Sequence, residues 1–385
     1  MNIYKYCLFI LITLGVNTVR GQKKFDTKIY LSAVMDSRKV VIRVDDGKTE
    51  YVPDRTSEDS SIKIQGEYYG EYAEVLITYP SSYSHNFSSV RTFFVRDEPA
   101  VIRFQDAFPG QDILSNYSIN NGTDFGSDKK EMAKYDSADL KREKVFSEKY
   151  GSSIFKDSLL SKEFFKLDDN IYQSDLKYIL NNTDSYYAFS FFRRNFVVPR
   201  RISGDSLLTI YEKFPEKYKN GEEGNTIMKL VTGRETVKVS KTAPLFNSYD
   251  ISGNAVSLEG FRNKDLVLLN FWATWCGPCI AEMPELKNFN ERYGNKGLKI
   301  ISVAYPSERK QAIEMAEKIG MDWINIYNDV DLVNSFGGYR PIPWDILINR
   351  SGKIIYDSQD IHDNPGIHTL ETLIQSEIEK GGLKD

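Results

Sequence analysis

The stretch that most constrains this chain is LVLLNFWAT at residues 266–274, a short continuous apolar run with CGPCIAEMPELKNFNERYG close behind it. Such a run is expected of a strand buried on both faces, which requires a sheet covered by helices on both sides. The segment behind it has helical periodicity and closes on Gly294. Cys276 and Cys279, two of only three cysteines, stand at the junction with Gly277 and Pro278 between them. Downstream, LKIISVAY reads as a second buried strand, SERKQAIEMAEKIG as a helix capped by Ser307, and INIYND as a third strand. WDILINR and IIYDS make a hairpin about the turn SGK, and GIHTLETLIQSEIEK a closing helix. Over residues 240–385 this β-α-β-α-β-β-α order builds a central mixed sheet with helices on its faces, an α/β domain.

The 385 residues exceed one domain's length, so more than one core is expected. Residues 22–125 are β-rich: KVVIRV, SIKIQGEYY, AEVLITY, RTFFV and AVIRF alternate or cluster β-branched and aromatic residues, punctuated by Gly47, Pro53, Gly66, Pro99 and Gly110. A small antiparallel sandwich is the expected result. Residues 126–239 turn Lys- and Glu-rich with three- and four-residue apolar spacing, which predicts a helical extension. There Ser206 reads as an N-cap for a helix through Tyr211, Gly221 as a stop, and the arginine pairs of FFRRNFVVPRR as a solvated face near a turn. A formal net charge of −4 gives no general affinity for nucleic acid, so no nucleic-acid partner is expected.

The opening MNIYKYCLFILITLGVNTVRGQ places one lysine ahead of an apolar stretch from Cys7 to Val16, too short to span a bilayer comfortably. Residues 1–21 read as a signal peptide cleaved after about Gly21, with an uncleaved N-terminal anchor as the alternative. Cys7 leaves with it, so the exported protein, destined for a periplasm or cell envelope, holds only Cys276 and Cys279. A disulfide closing so small a loop removes little unfolded-state entropy, which argues against a structural staple. Zinc needs about four ligands, and the chain offers no second CxxC and only His85, His362 and His368. A Cys/His hydrolase would leave the second cysteine without a role. Thiol redox chemistry remains, with no metal or organic cofactor.

The stretches APLF at 243–246, LVLLNFWATWCGPCIAEMPEL and PIPWDILINRSGKI at 341–354 resemble the thioredoxin-fold TlpA/ResA-like exported thiol-disulfide oxidoreductases. The resemblance spans 240–385, and residues 22–239 are similar to the β-sandwich plus helical extension that precedes such domains in the Bacteroidetes. It implies an envelope disulfide oxidoreductase. It also implies that Glu282, in Cys-x-x-Cys-x-x-Glu-x-Pro, helps move the proton of the resolving thiol, a task that Asn270, where cytoplasmic thioredoxins carry aspartate, cannot perform. It places the family's cis-proline at Pro343, so that the Ile342 backbone faces the sulfurs and pairs with an incoming peptide. Trp344 and Asp345 stand where the family commonly has threonines, and Asn349 where it has aspartate. The Trp344 indole beside the cis-proline is expected to bear on which substrates dock, with Trp275 on the same surface and Trp272 in the core.

The chemistry follows from position. A cysteine with its ordinary pKa of about 8.5 is mostly a thiol near neutrality, and a helix N-terminus favours the thiolate. Cys276 falls there, which makes it the exposed nucleophile, with Gly277 and Pro278 keeping the turn compact and part of the docking surface. Cys279, one turn on, begins the inward stripe Cys279, Met283, Leu286, Tyr293 and resolves the mixed disulfide. The Gly-Pro dipeptide resembles that of reducing thioredoxins, near −270 mV against about −120 mV for the oxidant DsbA, which favours a disulfide reductase. Its partners would be disulfide-bearing envelope proteins, apocytochromes of cytochrome c maturation among them, and a membrane thiol-electron carrier as reductant. The competing readings are an oxidase or isomerase, the latter favoured by a homodimer formed through the N-terminal region, and a binding or redox-sensing module whose N-terminal region carries the main function.

Overall fold

The computed structural model describes residues 22–80, 88–108, 110–197, 202–305, 309–338, 340–359 and 366–381. The signal segment, His85, Ser307, Arg200, Arg201 and His362 lie outside them. The first part of the chain folds into strands β1 (Lys23–Tyr30), β2 (Val41–Asp45), β3 (Glu50–Tyr51), β4 (Asp54–Ser57), β5 (Ser61–Tyr68), β6 (Ala73–Pro80), β7 (Ser88–Val95), β8 (Ala100–Phe104), β9 (Tyr117–Asn120) and β10 (Gly122–Thr123). They form two five-stranded sheets, ordered β4-β5-β1-β8-β9 and β10-β7-β6-β2-β3. Alternation decides which side chains meet: Phe25, Thr27 and Ile29 of β1 point inward with Ile62, Ile64, Val75, Ile77 and Ile102. This is a β-sandwich, and it corrects the expectation of an antiparallel one at one place, where β1 and β8 run parallel.

Helices α1 (Gly126–Tyr150), α2 (Ser158–Asn181), α3 (Tyr186–Phe192), α4 (Gly204–Tyr211), α5 (Glu216–Lys219) and α6 (Glu222–Thr236) follow. The Asp157 side chain starts α2 by accepting from Leu159 and Leu160 N–H groups. Their aromatic core, including Phe189, Phe192, Phe196 and Phe214, also takes in Phe94 from β7. Three expectations are corrected here. Ser203, not Ser206, caps α4: Gly204 and Asp205 are already helical, and the Ser203 hydroxyl accepts from the Ser206 N–H at 3.3 Å. Gly221 does not stop a helix but precedes α6, since α5 has already ended at Lys219. Arg193 and Arg194 are no solvated pair: Arg193, 4% exposed in a π-helical turn at Arg193–Val197, meets Asp45 at 2.8 Å, Glu223 at 3.1 Å and Glu74 at 3.5 Å, and Arg194 meets Glu74 at 3.1 Å. These pairs tie the helical layer to β2 and β6.

The last part holds the hairpin β11 (Asn247–Tyr249) and β12 (Ala255–Ser257), then β13 (Leu266–Trp272), α7 (Gly277–Tyr293), β14 (Leu298–Ala304), α8 (Arg309–Ile319), β15 (Ile324–Tyr327), α9 (Val330–Ser335), β16 (Trp344–Ile348), β17 (Ile354–Asp357) and α10 (Gly366–Gly381). The sheet runs β15-β14-β13-β16-β17, with β13, β14 and β15 parallel and β16 and β17 antiparallel. Every residue of β13 is buried. This is a thioredoxin-like fold. It carries one helix that periodicity does not announce, the short α9, which Asp329 caps by accepting from the Leu332 N–H at 2.9 Å. Against α9 lies α6, so close that a Cβ on Gly233 would stand 2.4 Å from the Gly337 nitrogen and the Ser335 oxygen.

Candidate active site

The buried strand β13 delivers the chain through Ala273, Thr274 and Trp275 to Cys276, which caps α7 in an extended conformation (φ −89°, ψ 95°). A cap is a natural place for sulfur, because the first N–H groups of a helix have no intrahelical acceptor. The Cys279 N–H donates to Cys276 Sγ at 3.2 Å. The two cysteines are joined by a disulfide, with S–S 2.05 Å and Cα–Cα 5.3 Å. Cys276 is 5% exposed and Cys279 not at all, which corrects the expectation of an openly exposed Cys276: in the disulfide both residues are buried, Cys279 the more deeply. Met283, Leu286, Phe289 and Tyr293 continue the buried stripe of Cys279. Gly277 and Pro278 are exposed beside the sulfurs, and Trp275 is 67% exposed. Trp272 is in the core.

The segment ahead of β16 faces this turn. The Ile342-Pro343 peptide bond is cis, and the Ile342 carbonyl oxygen lies 3.7 Å from Cys276 Sγ. Ile342 and Pro343 are half-buried. Trp344 does not join them: it is fully buried, stacked on Phe271 with centroids 4.4 Å apart, with Arg340 4.3 Å over its ring and its Nε1 donating to Asp357 Oδ1 at 2.8 Å. A side chain so enclosed presents no surface to a substrate, which corrects its place among the docking residues. Strand alternation is the reason, since the first residue of β16 points through the sheet, away from α7.

Glu282 is half-buried on α7, and its Oε2 is buried without a hydrogen-bond partner among the described residues. Burial pushes its pKa up, against a hydrogen bond with Asp345 that pulls it down. Asp345 is 2% exposed and is pushed up to about 8, by burial first, then by the Glu282 charge, with the Asn270 amide opposing. In the sequence Asp345 shows only as a departure from threonine. Its signal lay in the register, which pairs Asp345 with Asn270 across β13 and β16.

The Redoxin family matches residues 238–374. Thiol-disulfide oxidoreductase ResA of Geobacillus thermodenitrificans is 33% identical over 123 residues, 32% of this chain and 70% of that protein. ResA of Bacillus subtilis is 28% identical over 154 residues, 40% of this chain and 85% of that one. Among solved structures, the thioredoxin domain of a thiol-disulfide oxidoreductase from Bacteroides vulgatus is 24% identical, covering 36% of this chain and 99% of that domain with a TM-score of 0.32. A fully buried strand that ends on a Cys-x-x-Cys helix cap, together with this shared sequence, places the chain in the ResA-like family of thiol-disulfide oxidoreductases.

Proposed function

We propose that the chain is an exported disulfide reductase that cycles Cys276 and Cys279 between dithiol and disulfide. The observation that carries the reading is the Cys276–Cys279 bond at the N-terminus of α7, with Cys276 Sγ 3.7 Å from the Ile342 carbonyl. In the reduced protein the Cys276 thiolate, favoured by the unpaired N–H groups of the helix, attacks a client disulfide and forms a mixed disulfide. Cys279 then attacks Cys276, and the client leaves reduced. Cys276 is the sulfur with access to a client; Cys279, buried one turn on, is reached only from Cys276.

Glu282 is the proton acceptor for Cys279, as the half-buried carboxyl one helical turn beyond it. Trp275, Gly277, Pro278, Ile342 and Pro343 form the docking surface, where the Ile342 backbone pairs with an extended client segment. Residues 240–385 make up the catalytic domain, preceded by the sandwich at 22–125 and the helical segment at 126–239. Residues 1–21 export the chain, and among the described residues no helix is long and apolar enough to cross a membrane. Reductase direction is supported by the Gly-Pro dipeptide between the cysteines.

The test is the reduction potential of the pair, by equilibration in dithiothreitol or glutathione buffers with the thiols trapped and counted. A value near −250 mV or lower supports electron donation to oxidised envelope clients such as apocytochromes; a value near −150 mV or higher replaces the reductase with an oxidase or isomerase.

A further inference from the structure

Asp345 lies in the middle of the sheet and has no part in the cycle described so far. On one side the Asn270 Nδ2 donates to its Oδ1 at 2.9 Å. The orientation of that amide is fixed from behind: Asn270 Oδ1 accepts from Ser302 Oγ at 3.2 Å, and Ser302 Oγ accepts from Trp323 Nε1 at 2.8 Å. On the other side Asp345 meets the Glu282 carboxyl, which comes from α7. The remaining titratable groups around it belong to β17. They are Tyr356, whose phenol is pushed up by burial and then by the two carboxyls, and Asp357, which is held by Arg340 at 3.3 Å and by the Trp344 indole. Burial, the Asn270 amide and the two carboxyls themselves act on this pair.

Two carboxylates in such a place do not both ionise readily, and the proton that remains belongs to the pair. It rests on the deeper group, Asp345, while Glu282 is half-buried. We propose that Asp345 and Glu282 form one proton-sharing carboxyl pair, in which Asp345 is a positioning residue that retains the shared proton and so sets the pH at which Glu282 accepts the proton of Cys279. The proposal rests on the role given to Glu282 above.

In the resolving step the Cys279 S–H proton passes to the Glu282 carboxylate and the Cys279 sulfur forms a bond to Cys276 Sγ. The bond from Cys276 Sγ to the client sulfur breaks, and its electron pair leaves on that client sulfur, which takes a proton from water. The dithiol has lost two electrons and the client disulfide has gained them. Glu282, neutral beside neutral Asp345, then returns its proton to solvent.

The experiment uses the full chain with its aspartates and glutamates 13C-labelled at the carboxyl carbon. It follows their NMR titration together with the pH profile of client-thiol release in a single turnover. The wild type is expected to show one carboxyl, assigned to Asp345, that stays protonated to about pH 8, and a bend in the release rate at the same pH. Asp345→Asn should lose both the step and the bend. Glu282→Gln should keep the Asp345 step but move it to lower pH, because a charged neighbour is gone, and should slow release roughly 100-fold at neutral pH. An Asp345 carboxyl already ionised at pH 6 in the wild type overturns the pairing, and so does a bend that survives in Asp345→Asn. If that bend survives while Glu282→Gln is still slow, the pairing fails and the role of Glu282 stands. If Glu282→Gln releases client at the wild-type rate, both fail. Should Asp345→Asn not fold, the wild-type titration and the shift in Glu282→Gln decide.

Discussion

Depth separates the two cysteines: Cys276 is 5% exposed, and Cys279 not at all. Cys276→Ser should therefore abolish reduction of insulin, whereas Cys279→Ser should accumulate a mixed disulfide with the client, visible by mass spectrometry as an adduct released by dithiothreitol. Trp344 belongs to the fold instead. Trp344→Ala removes a buried indole from Phe271, Arg340 and Asp357 and should cost about 3–5 kcal/mol in urea denaturation. Asp345 makes stability depend on pH. It ionises at about 8 in the fold, against about 3.9 for an unfolded aspartate. The folded state thus holds the proton more tightly, and the stability this brings is full below about pH 4 and is lost as pH rises through about 8. Asp345→Asn should accordingly gain in melting temperature over the wild type as pH increases from 5 to 9. Of these residues the cysteines were legible, because a sparse residue type at fixed spacing has few explanations. Trp344 was not, since its partners Phe271 and Asp357 are distant in sequence and only strand alternation tells which way an aromatic beside a proline points.

Elements were read where one period dominates. β13 announces itself by its continuous apolar run, and β5 and β8 by alternation, whereas β1 is not among the strands that the sequence pattern announces. The short α9 is not legible, because six residues hold too few turns for a period to show. The α4 cap is ambiguous for a different reason: Ser203 and Ser206 are equally good capping residues, and only the helical state of Gly204 decides between them. The contact of α6 with α9 offers a comparison of magnitudes. Gly233→Ala would drive a methyl into the backbone of Ser335 and Gly337 and should destabilise by about 1–3 kcal/mol despite the better helix propensity of alanine. Asp331→Asn, which breaks the exposed pair of Asp331 with Lys229 across the same contact, should change stability by less than about 1 kcal/mol. Both are read by urea titration, and close packing should outweigh the surface charge.

Across the whole molecule the buried arginine does what no local pattern revealed. Arg193 gathers Asp45 and Glu74 from the sandwich and Glu223 from α6, residues as far as 148 positions away in the chain (193 − 45). Arg193→Met would leave Asp45 and Glu223 without their cation, Glu74 keeping Arg194, and should cost about 3–5 kcal/mol, seen as an earlier first transition in urea. The same α6 that meets this cluster also reaches the other end of the molecule. The Arg234 Nε donates to the Gly337 carbonyl at 3.3 Å, and Gly337 is five residues before Ile342, whose carbonyl faces Cys276. One helix thus has one end on the sandwich and the other at the root of the docking loop, like the beam of a balance. Its two pans are the Glu223 carboxylate held by Arg193 and the Gly337 carbonyl held by Arg234, so the sandwich and the docking segment are joined through protein and not only across solvent.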